Sequence, residues 1–245
     1  MNRYFTINGL EVNAAFDDRT VNEILLPLLL EWQEMQKKKG ERLIVLLAAP
    51  PGTGKSTLAA FMQELAREKG IEGFQAVGMD GFHHLQKYIA SHTVIRDGRE
   101  IPMQRVKGAP DSFDVYKLKN ALEEMRRENV SWPGYDRTLH DVVENQTLVT
   151  GSIVLVEGNY FRLDRDVWRD MPHDFSVFIE AEEEQLRKRL LERKMKSGAT
   201  EEAAFAHYES SDGPNVRLTL KERLPADVTL KMLGDGMLMI KEKYV

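Results

Sequence analysis

The sequence predicts an α/β fold of three layers (α/β/α), with a mostly parallel sheet flanked by helices. From Leu43 onward, short apolar runs alternate with longer stretches of helical periodicity, which is typical of repeated strand–helix–strand units. In addition, acidic residues follow directly on two of these apolar runs, Asp80 after residues 74–79 and Glu157 after residues 153–156. The ends of parallel strands share one edge of the sheet, where ligands bind in open α/β folds.

Residues 1–40 are expected to add an N-terminal hairpin-helix appendage to this sheet. The segment from Tyr4 to Val12 has the pattern of two short strands joined by a tight turn at Asn8-Gly9. Thr20-Val21-Asn22-Glu23 has the pattern of a capping box that opens a helix. We expect its apolar face to pack on the main domain, residues 41–245; a partner-binding arm or a homodimer contact is the alternative.

Within residues 41–245 the elements are expected to form one domain. The predicted strands are residues 43–48, 74–79, 153–156, 175–179, 227–230 and 237–240, and residues 141–150 are expected to form a short strand or a connection. The predicted helices are residues 58–70, 111–128, 182–196 and 200–208. Residues 81–110 are polar and long enough for an active-site loop or lid, and a helical lid is expected over about residues 187–215.

The stretch between the first strand and first helix of this domain predicts a site for the phosphates of a nucleotide. Its residues are Ala49, Pro50, Pro51, Gly52, Thr53, Gly54, Lys55, Ser56 and Thr57. A glycine-bearing loop in this setting, ending in Gly-Lys-Ser, is typical of a P-loop (Walker A motif) and hence of the P-loop NTPase fold. Lys55 is expected to reach the β- and γ-phosphates, and Ser56 to ligate Mg²⁺. Ala49 stands where the motif has its first glycine; a chance glycine- and proline-rich loop is the alternative.

Phosphoryl transfer further needs a base, support for the metal and cations that spread charge. Asp80 is predicted as the general base and Glu157 as support for Mg²⁺, although either carboxylate is also a candidate for capping a turn. Arg189 and Arg193 share one face of a predicted helix, because they are four residues apart. They are expected to neutralise the transferring phosphoryl group, with a solvated, ion-paired face as the alternative. His83 and His84 are candidates for contacting the acceptor, or are merely exposed.

Composition excludes several other classes. A net charge of −5 argues against a nucleic-acid binder and against an anionic-membrane binder, and no apolar run is long enough to span a membrane. The absence of cysteine excludes disulfides, thiolate metal sites and cysteine nucleophiles. No signal peptide is recognisable, so a cytoplasmic location is expected.

Together, the P-loop, Met79-Asp80-Gly81-Phe82, Glu157-Gly158 and the arginine helix resemble the phosphoribulokinase, uridine kinase and bacterial pantothenate kinase superfamily. The resemblance extends from Leu43 to about Asp227. It implies a catalytic base at Asp80 and a metal-supporting carboxylate at Glu157.

The motifs on the acceptor side of this resemblance are mixed. Asp80-Gly81-Phe82 followed by the Lys107–Asp114 segment is similar to pantothenate kinases. Tyr135-Asp136-Arg137-Thr138-Leu139-His140 resembles uridine kinases, yet their ribose-binding aspartate and a following arginine are missing here. The overall set is most similar to a subgroup variously named for nucleosides, pantothenate or fructose transport. The resemblance implies an acceptor pocket; its residues are expected to be His83, His84, Tyr135, Arg137 and His140.

The sequence therefore predicts an ATP- and Mg²⁺-dependent kinase acting on a hydroxyl of a small molecule. Pantothenate, a nucleoside and a sugar stay open as acceptors. The segment Asp212-Gly213-Pro214-Asn215 is expected to be either a simple turn or a loop that contacts substrate. The alternative function is a P-loop ATPase or nucleotide sensor that acts as a switch or assembly factor. Guanine-specific and ABC-type signatures are absent.

Overall fold

The computed structural model describes residues 1–7, 10–96, 98–136 and 139–244, so the predicted turn at Asn8-Gly9 lies outside the described residues. The strands are β1 (Asn2–Ile7), β2 (Leu10–Ala15), β3 (Leu43–Ala48), β4 (Phe74–Gly78), β5 (Thr93–Arg96), β6 (Arg99–Pro102), β7 (Val130–Asp136), β8 (Asp141–Val149), β9 (Ile153–Gly158), β10 (Phe175–Glu180), β11 (Val228–Gly234) and β12 (Met237–Lys243). The α-helices are α1 (Leu26–Lys39), α2 (Lys55–Glu68), α3 (Gln86–Ser91), α4 (Val115–Met125), α5 (Glu183–Lys196), α6 (Glu201–His207) and α7 (Gly213–Lys221).

A six-stranded sheet forms the centre of the molecule, in the order β12-β11-β10-β3-β9-β4. All neighbouring pairs are parallel except β11 and β12, which run antiparallel. The carboxyl ends of β3, β9 and β4 therefore meet at one edge. This arrangement confirms the predicted fold class.

Side chains of β3 show how the sheet separates two layers of helices. Leu43, Val45 and Leu47 join the apolar cluster that contains the inner faces of α1 and α2. The alternate residues Ile44, Leu46 and Ala48 join a second cluster that contains the inner face of α4. Because successive side chains of a strand point to opposite faces, a run that is apolar throughout is the expected sequence for a sheet covered on both sides.

The N-terminal helix packs into the first of these clusters through Leu28, Leu29 and Trp32, which are all buried. A π-helical turn, Thr20–Leu25, precedes α1. The predicted capping box is wrong, because the Thr20 hydroxyl does not cap this helix but accepts the backbone N–H of Leu238 in β12 at 2.9 Å. Asp17 Oδ1 accepts the Thr20 N–H at 2.7 Å instead. The division of the chain near residue 40 stays a prediction.

Three local predictions in the middle of the chain are wrong. Residues 81–110 are not one long loop: they contain α3 and the β5–β6 hairpin, which share a small apolar cluster. Asp114, not Asp111 or Ser112, caps α4, since its Oδ1 accepts the Lys117 N–H at 3.0 Å. The strand β7 has no counterpart among the predicted elements, and it pairs with β8 in a separate antiparallel sheet.

Within the described ranges, no helix has the length and apolar character needed to cross a membrane.

Candidate active site

The P-loop follows β3 and leads directly into α2. Gly52 and Gly54 have left-handed backbone conformations, with φ of 88° and 86°, which residues with a side chain rarely adopt. No side chain of the described residues caps α2 at Gly54, so the first N–H groups of this helix have no partner within it. An uncapped helix start behind a glycine-bearing loop suits the phosphates of a nucleotide.

Arg189 lies against the P-loop from the side of α5. Its Nη1 donates to the Thr53 carbonyl oxygen at 3.2 Å, and a Cβ added to Gly54 would lie 3.4 Å from its Nη2. The Leu190 side chain packs beside Gly52, where an added Cβ would be 3.0 Å from Leu190 Cγ. Helix α5 thus covers the loop closely, and the Arg189 guanidinium lies where phosphates are expected.

Arg193, predicted to act together with Arg189, has a different environment. It is exposed, one turn further along α5. Burial is the main cause that lowers the pKa of His207, and the positive charge of the nearby Arg193 contributes to this lowering. The structure therefore brings Arg189 to the P-loop and leaves Arg193 on the outer side.

Ser56 and Glu157, the predicted metal ligands, are in direct contact. The Ser56 hydroxyl donates to Glu157 Oε1 at 2.7 Å, and Glu157 is only 7% exposed. In the register of the sheet, Glu157 lies between Leu47 of β3 and Gly78 of β4. Both oxygens are hard donors of the kind that Mg²⁺ takes, so the pair fits a magnesium site. The described ranges hold no cluster of three or more acidic or histidine side chains suited to a metal.

Asp80 lies two residues beyond β4, in the short 3₁₀ turn Met79–Phe82. The next residue, Gly81, approaches the backbone of β7 so closely that an added Cβ would lie 2.1 Å from the Pro133 carbonyl oxygen. The Trp132 indole N–H donates to the Gly78 carbonyl at 2.8 Å. These contacts fix the backbone on both sides of Asp80 and place this residue at the carboxyl edge of the sheet, beyond the strand that neighbours Glu157.

His83 connects Asp80 to the acceptor side. Its Nδ1 is 2.8 Å from the Asp80 carbonyl oxygen, which accepts the N–H of the ring. The ring packs against Phe113 and Tyr135, with centroid distances of 3.8 and 5.3 Å. Burial lowers the pKa of His83, against an opposing effect of Asp80. A neutral ring that donates from Nδ1 keeps Nε2 as an acceptor, for example for a hydroxyl.

The other predicted acceptor residues have varied positions. The His84 ring stacks on Tyr88 of α3 at 4.3 Å, and burial lowers the pKa of His84. His140 is exposed and has a positive φ of 52°. Arg137 lies outside the described residues. Among the four of these residues that the structure describes, His83 and Tyr135 are in ring contact with each other.

Two residues near the acceptor side were not predicted as site residues. Lys107 extends over the Tyr135 ring, with Nζ 5.2 Å from the centroid. The Tyr160 hydroxyl donates to the Gly108 carbonyl at 2.6 Å, and burial raises the pKa of this phenol. The resemblance of the Lys107-Gly108 motif to pantothenate kinases is the feature of the sequence that could have identified these two residues.

The segment 212–215 is neither the turn nor the loop that the sequence suggested. A π-helical turn, Tyr208–Asp212, runs directly into α7, so Gly213-Pro214-Asn215 forms the first turn of a helix. Asn215 is buried near Gly108, where an added Cβ would lie 3.8 Å from its Nδ2. The segment thus packs against the Lys107-Gly108 loop.

Several known proteins are similar to this chain over most of its length. An uncharacterized protein of Escherichia coli, YggC, is 37% identical over 235 residues, which is 94% of this chain and 95% of that protein. A protein of Schizosaccharomyces pombe, named only as a candidate uridine kinase, is 28% identical over 80% of this chain and 86% of its own length. The crystal structure of a candidate fructose transport system kinase from a Silicibacter species superposes with a TM-score of 0.74 at 28% identity, covering 84% of this chain and 98% of that one.

A family model provides the assignment. The model of the phosphoribulokinase/uridine kinase family matches residues 44–222, which include the P-loop, Asp80, Glu157 and α5. The chain therefore belongs to the phosphoribulokinase/uridine kinase family of P-loop kinases.

Proposed function

We propose that this protein is an ATP- and Mg²⁺-dependent kinase that transfers the γ-phosphoryl group of ATP to a hydroxyl of a small metabolite. The observation that carries the proposal is the 2.7 Å contact of Ser56 with Glu157, with Asp80 following the adjacent strand. A nucleotide switch needs a P-loop and a metal site. It has no need of a carboxylate beyond the metal site, next to the packed rings of His83 and Tyr135.

Each part of the site has a role in this reaction. The P-loop N–H groups and Lys55 hold the phosphates of ATP, and Arg189 lies where it can neutralise the transferring group. Ser56 and Glu157 hold Mg²⁺, which when bound neutralises charge on the phosphate oxygens. Asp80 accepts the proton of the acceptor hydroxyl as its oxygen attacks the γ-phosphorus. The bond from that phosphorus to the β–γ bridging oxygen breaks, and ADP leaves.

The test is a screen for acceptor-dependent ADP release over vitamins, nucleosides, sugars and sugar phosphates. The kinase proposal expects release with at least one class. Nucleotide binding without acceptor-dependent release from any of them would instead support the nucleotide sensor.

Substitution of the base is the second test. We expect Asp80→Asn to lower kcat by about 10²–10⁴-fold with ATP affinity kept, because the amide cannot accept the hydroxyl proton. Asp170→Asn, at an exposed aspartate, is the matched control. Substantial transfer by Asp80→Asn would refute the role of Asp80.

A further inference from the structure

Lys107 lies where the expected acceptor side meets α3 and the turn before α7. Its Nζ donates to Gln86 Oε1 at 2.7 Å and to the His140 carbonyl oxygen at 3.1 Å. Its own carbonyl oxygen accepts the Ser211 hydroxyl at 3.4 Å, which joins this loop to the turn before α7. The ammonium group also lies over the face of the Tyr135 ring. The side chain is half-buried and held in one place by neutral partners.

In the part of the chain that the structure describes, no carboxylate forms an ion pair with Lys107. Within the described ranges, no Asp or Glu oxygen lies within 4.0 Å of its Nζ. Asp141, whose Oδ1 accepts the backbone N–H groups of Gln86 and Val142, lies beyond that distance. An ammonium group has three N–H donors, and two of them are used here. Among the residues that the structure describes, the third donor has no hydrogen-bond acceptor, so the donor and the positive charge can serve a further group.

That charge faces the same histidine that contacts Asp80. Lys107 lies over Tyr135, Tyr135 packs on His83, and His83 donates to the Asp80 carbonyl. Lys107 also contributes to lowering the pKa of His83, although burial is the main cause. An acceptor whose hydroxyl reaches Asp80 and passes His83 would therefore have its other end close to Lys107.

We propose that Lys107 binds an anionic group of the acceptor, so that the substrate is a hydroxy acid or a sugar phosphate and not a neutral nucleoside or free sugar. This inference rests on the proposed kinase function and specifies its acceptor. Because the ammonium group is half-buried and its partners are neutral, its charge is less screened than it would be in water. It therefore interacts more strongly with a carboxylate or phosphate that binds beside it. Lys107 is thus a residue that determines specificity, whereas Asp80 carries out the proton transfer.

The rival explanation is that Lys107 only ties its loop to Gln86 and His140. The two explanations differ in which acceptors are affected when the charge is removed. A structural tether affects all acceptors alike, whereas a binding group affects only anionic ones.

The experiment compares matched acceptors, each offered as an anion and as its neutral counterpart: glycerate with glyceramide, pantothenate with pantothenol, and fructose 1-phosphate with fructose. The first two pairs test a carboxylate and the third a phosphate. Wild type is compared with Lys107→Gln, with Lys107→Arg, which keeps the charge, and with Lys69→Gln, which removes an exposed charge at the end of α2. ATP affinity is measured in each variant.

We expect wild type to prefer an anionic member over its neutral counterpart by about 10- to 100-fold in kcat/KM. Lys107→Gln should remove that preference mainly through KM, Lys107→Arg should restore part of it, and Lys69→Gln should keep it. Efficient transfer to neutral members, or a preference that survives in Lys107→Gln, would overturn the inference and leave the kinase function standing.

If no member of the panel is phosphorylated, the wider screen for ADP release decides on the proposed function. In that case calorimetric binding of the three anions in the presence of MgADP tests Lys107 alone. Tighter binding to wild type than to Lys107→Gln would support the inference, and equal binding or no binding would overturn it.

Discussion

A methyl group at Gly78 is expected to disturb the metal site without changing the P-loop. A Cβ added to Gly78 would lie 2.9 Å from Glu157 Oε1, whereas ordinary contacts of this kind begin at 3.4 Å. Gly78 has an extended backbone, with φ −107° and ψ 154°, which alanine adopts readily. The Gly78→Ala substitution therefore acts only through the carboxylate of Glu157.

The size of the effect follows from the distance that the carboxylate must move. Glu157 Oε1 has to retreat by about 0.5 Å, which would lengthen its 2.7 Å contact with the Ser56 hydroxyl beyond the usual range. A hydrogen bond to a charged group contributes about 1.5–3 kcal/mol. We expect the lengthened bond to lose an amount at the lower end of this range, about 1.5 kcal/mol. We expect Gly78→Ala to raise the Mg²⁺ concentration needed for half-maximal ATP binding by about tenfold.

The assay is calorimetric binding of ATP across a titration of Mg²⁺, which needs no knowledge of the acceptor. Gly70→Ala is the control, because its φ of 69° brings backbone strain but no atom lies within 4 Å of an added Cβ. An unchanged Mg²⁺ dependence in folded Gly78→Ala, or an equal shift in Gly70→Ala, would refute the assignment of Glu157 to the metal.

Three further outcomes are expected. Arg189→Ala should lower kcat by about 10²–10³-fold and Arg193→Ala by less, since Arg189 donates to the Thr53 carbonyl of the P-loop and Arg193 is exposed one turn further along α5; equal losses in steady-state kinetics would contradict this. Burial lowers the pKa of His83, so just below pH 6.5 the unfolded chain binds more protons than the folded protein does. Stability should therefore rise with pH through this interval, and urea unfolding should show a smaller rise in His83→Gln; an identical rise would argue against a buried neutral ring. Gly236→Ala should cost about 1–3 kcal/mol or more in urea unfolding, because its Cβ would lie 1.8 Å from the Ala15 carbonyl oxygen. Gly198→Ala, at an open site with φ of 97°, should cost less, and an equal loss would show that strain alone matters.

The nucleotide side of the site was predictable because it depends on short stretches of sequence and on the register of parallel strands. Residues 49–57 are contiguous, and their loop follows a strand whose burial was evident from its composition. Asp80 and Glu157 are 77 residues apart in number, yet both follow buried strands, and parallel strands bring such positions to one edge. The direct contact of Glu157 with Ser56 follows from the same register.

The acceptor side was less predictable because tertiary contacts determine it. The predicted loop at 81–110 contains a hairpin whose few apolar residues form a small cluster with α3 and with Met103 and Val106 of the following turn. β7 was missed because Pro133 and Gly134, whose backbone atoms Gly81 approaches, interrupt its pattern. The role of Lys107 is not visible in the sequence, because its partners Gln86 and His140 are distant along the chain.

The N-terminal region is connected to the P-loop through one turn of the sheet, and this bears on what residues 1–40 contribute. The Thr20 hydroxyl accepts the Leu238 N–H, and Asp17 N–H donates to the Gly236 carbonyl at 3.1 Å. The adjoining Asp235 is 3.7 Å from Arg189 Nε, and Arg189 donates to the P-loop carbonyl of Thr53. Because Asp235 is almost fully exposed, its ion pair with Arg189 is weak, and the position of the backbone turn matters more than its charge. Residues before β3 thus help to hold the turn that borders Arg189, so their removal should affect phosphate binding as well as stability.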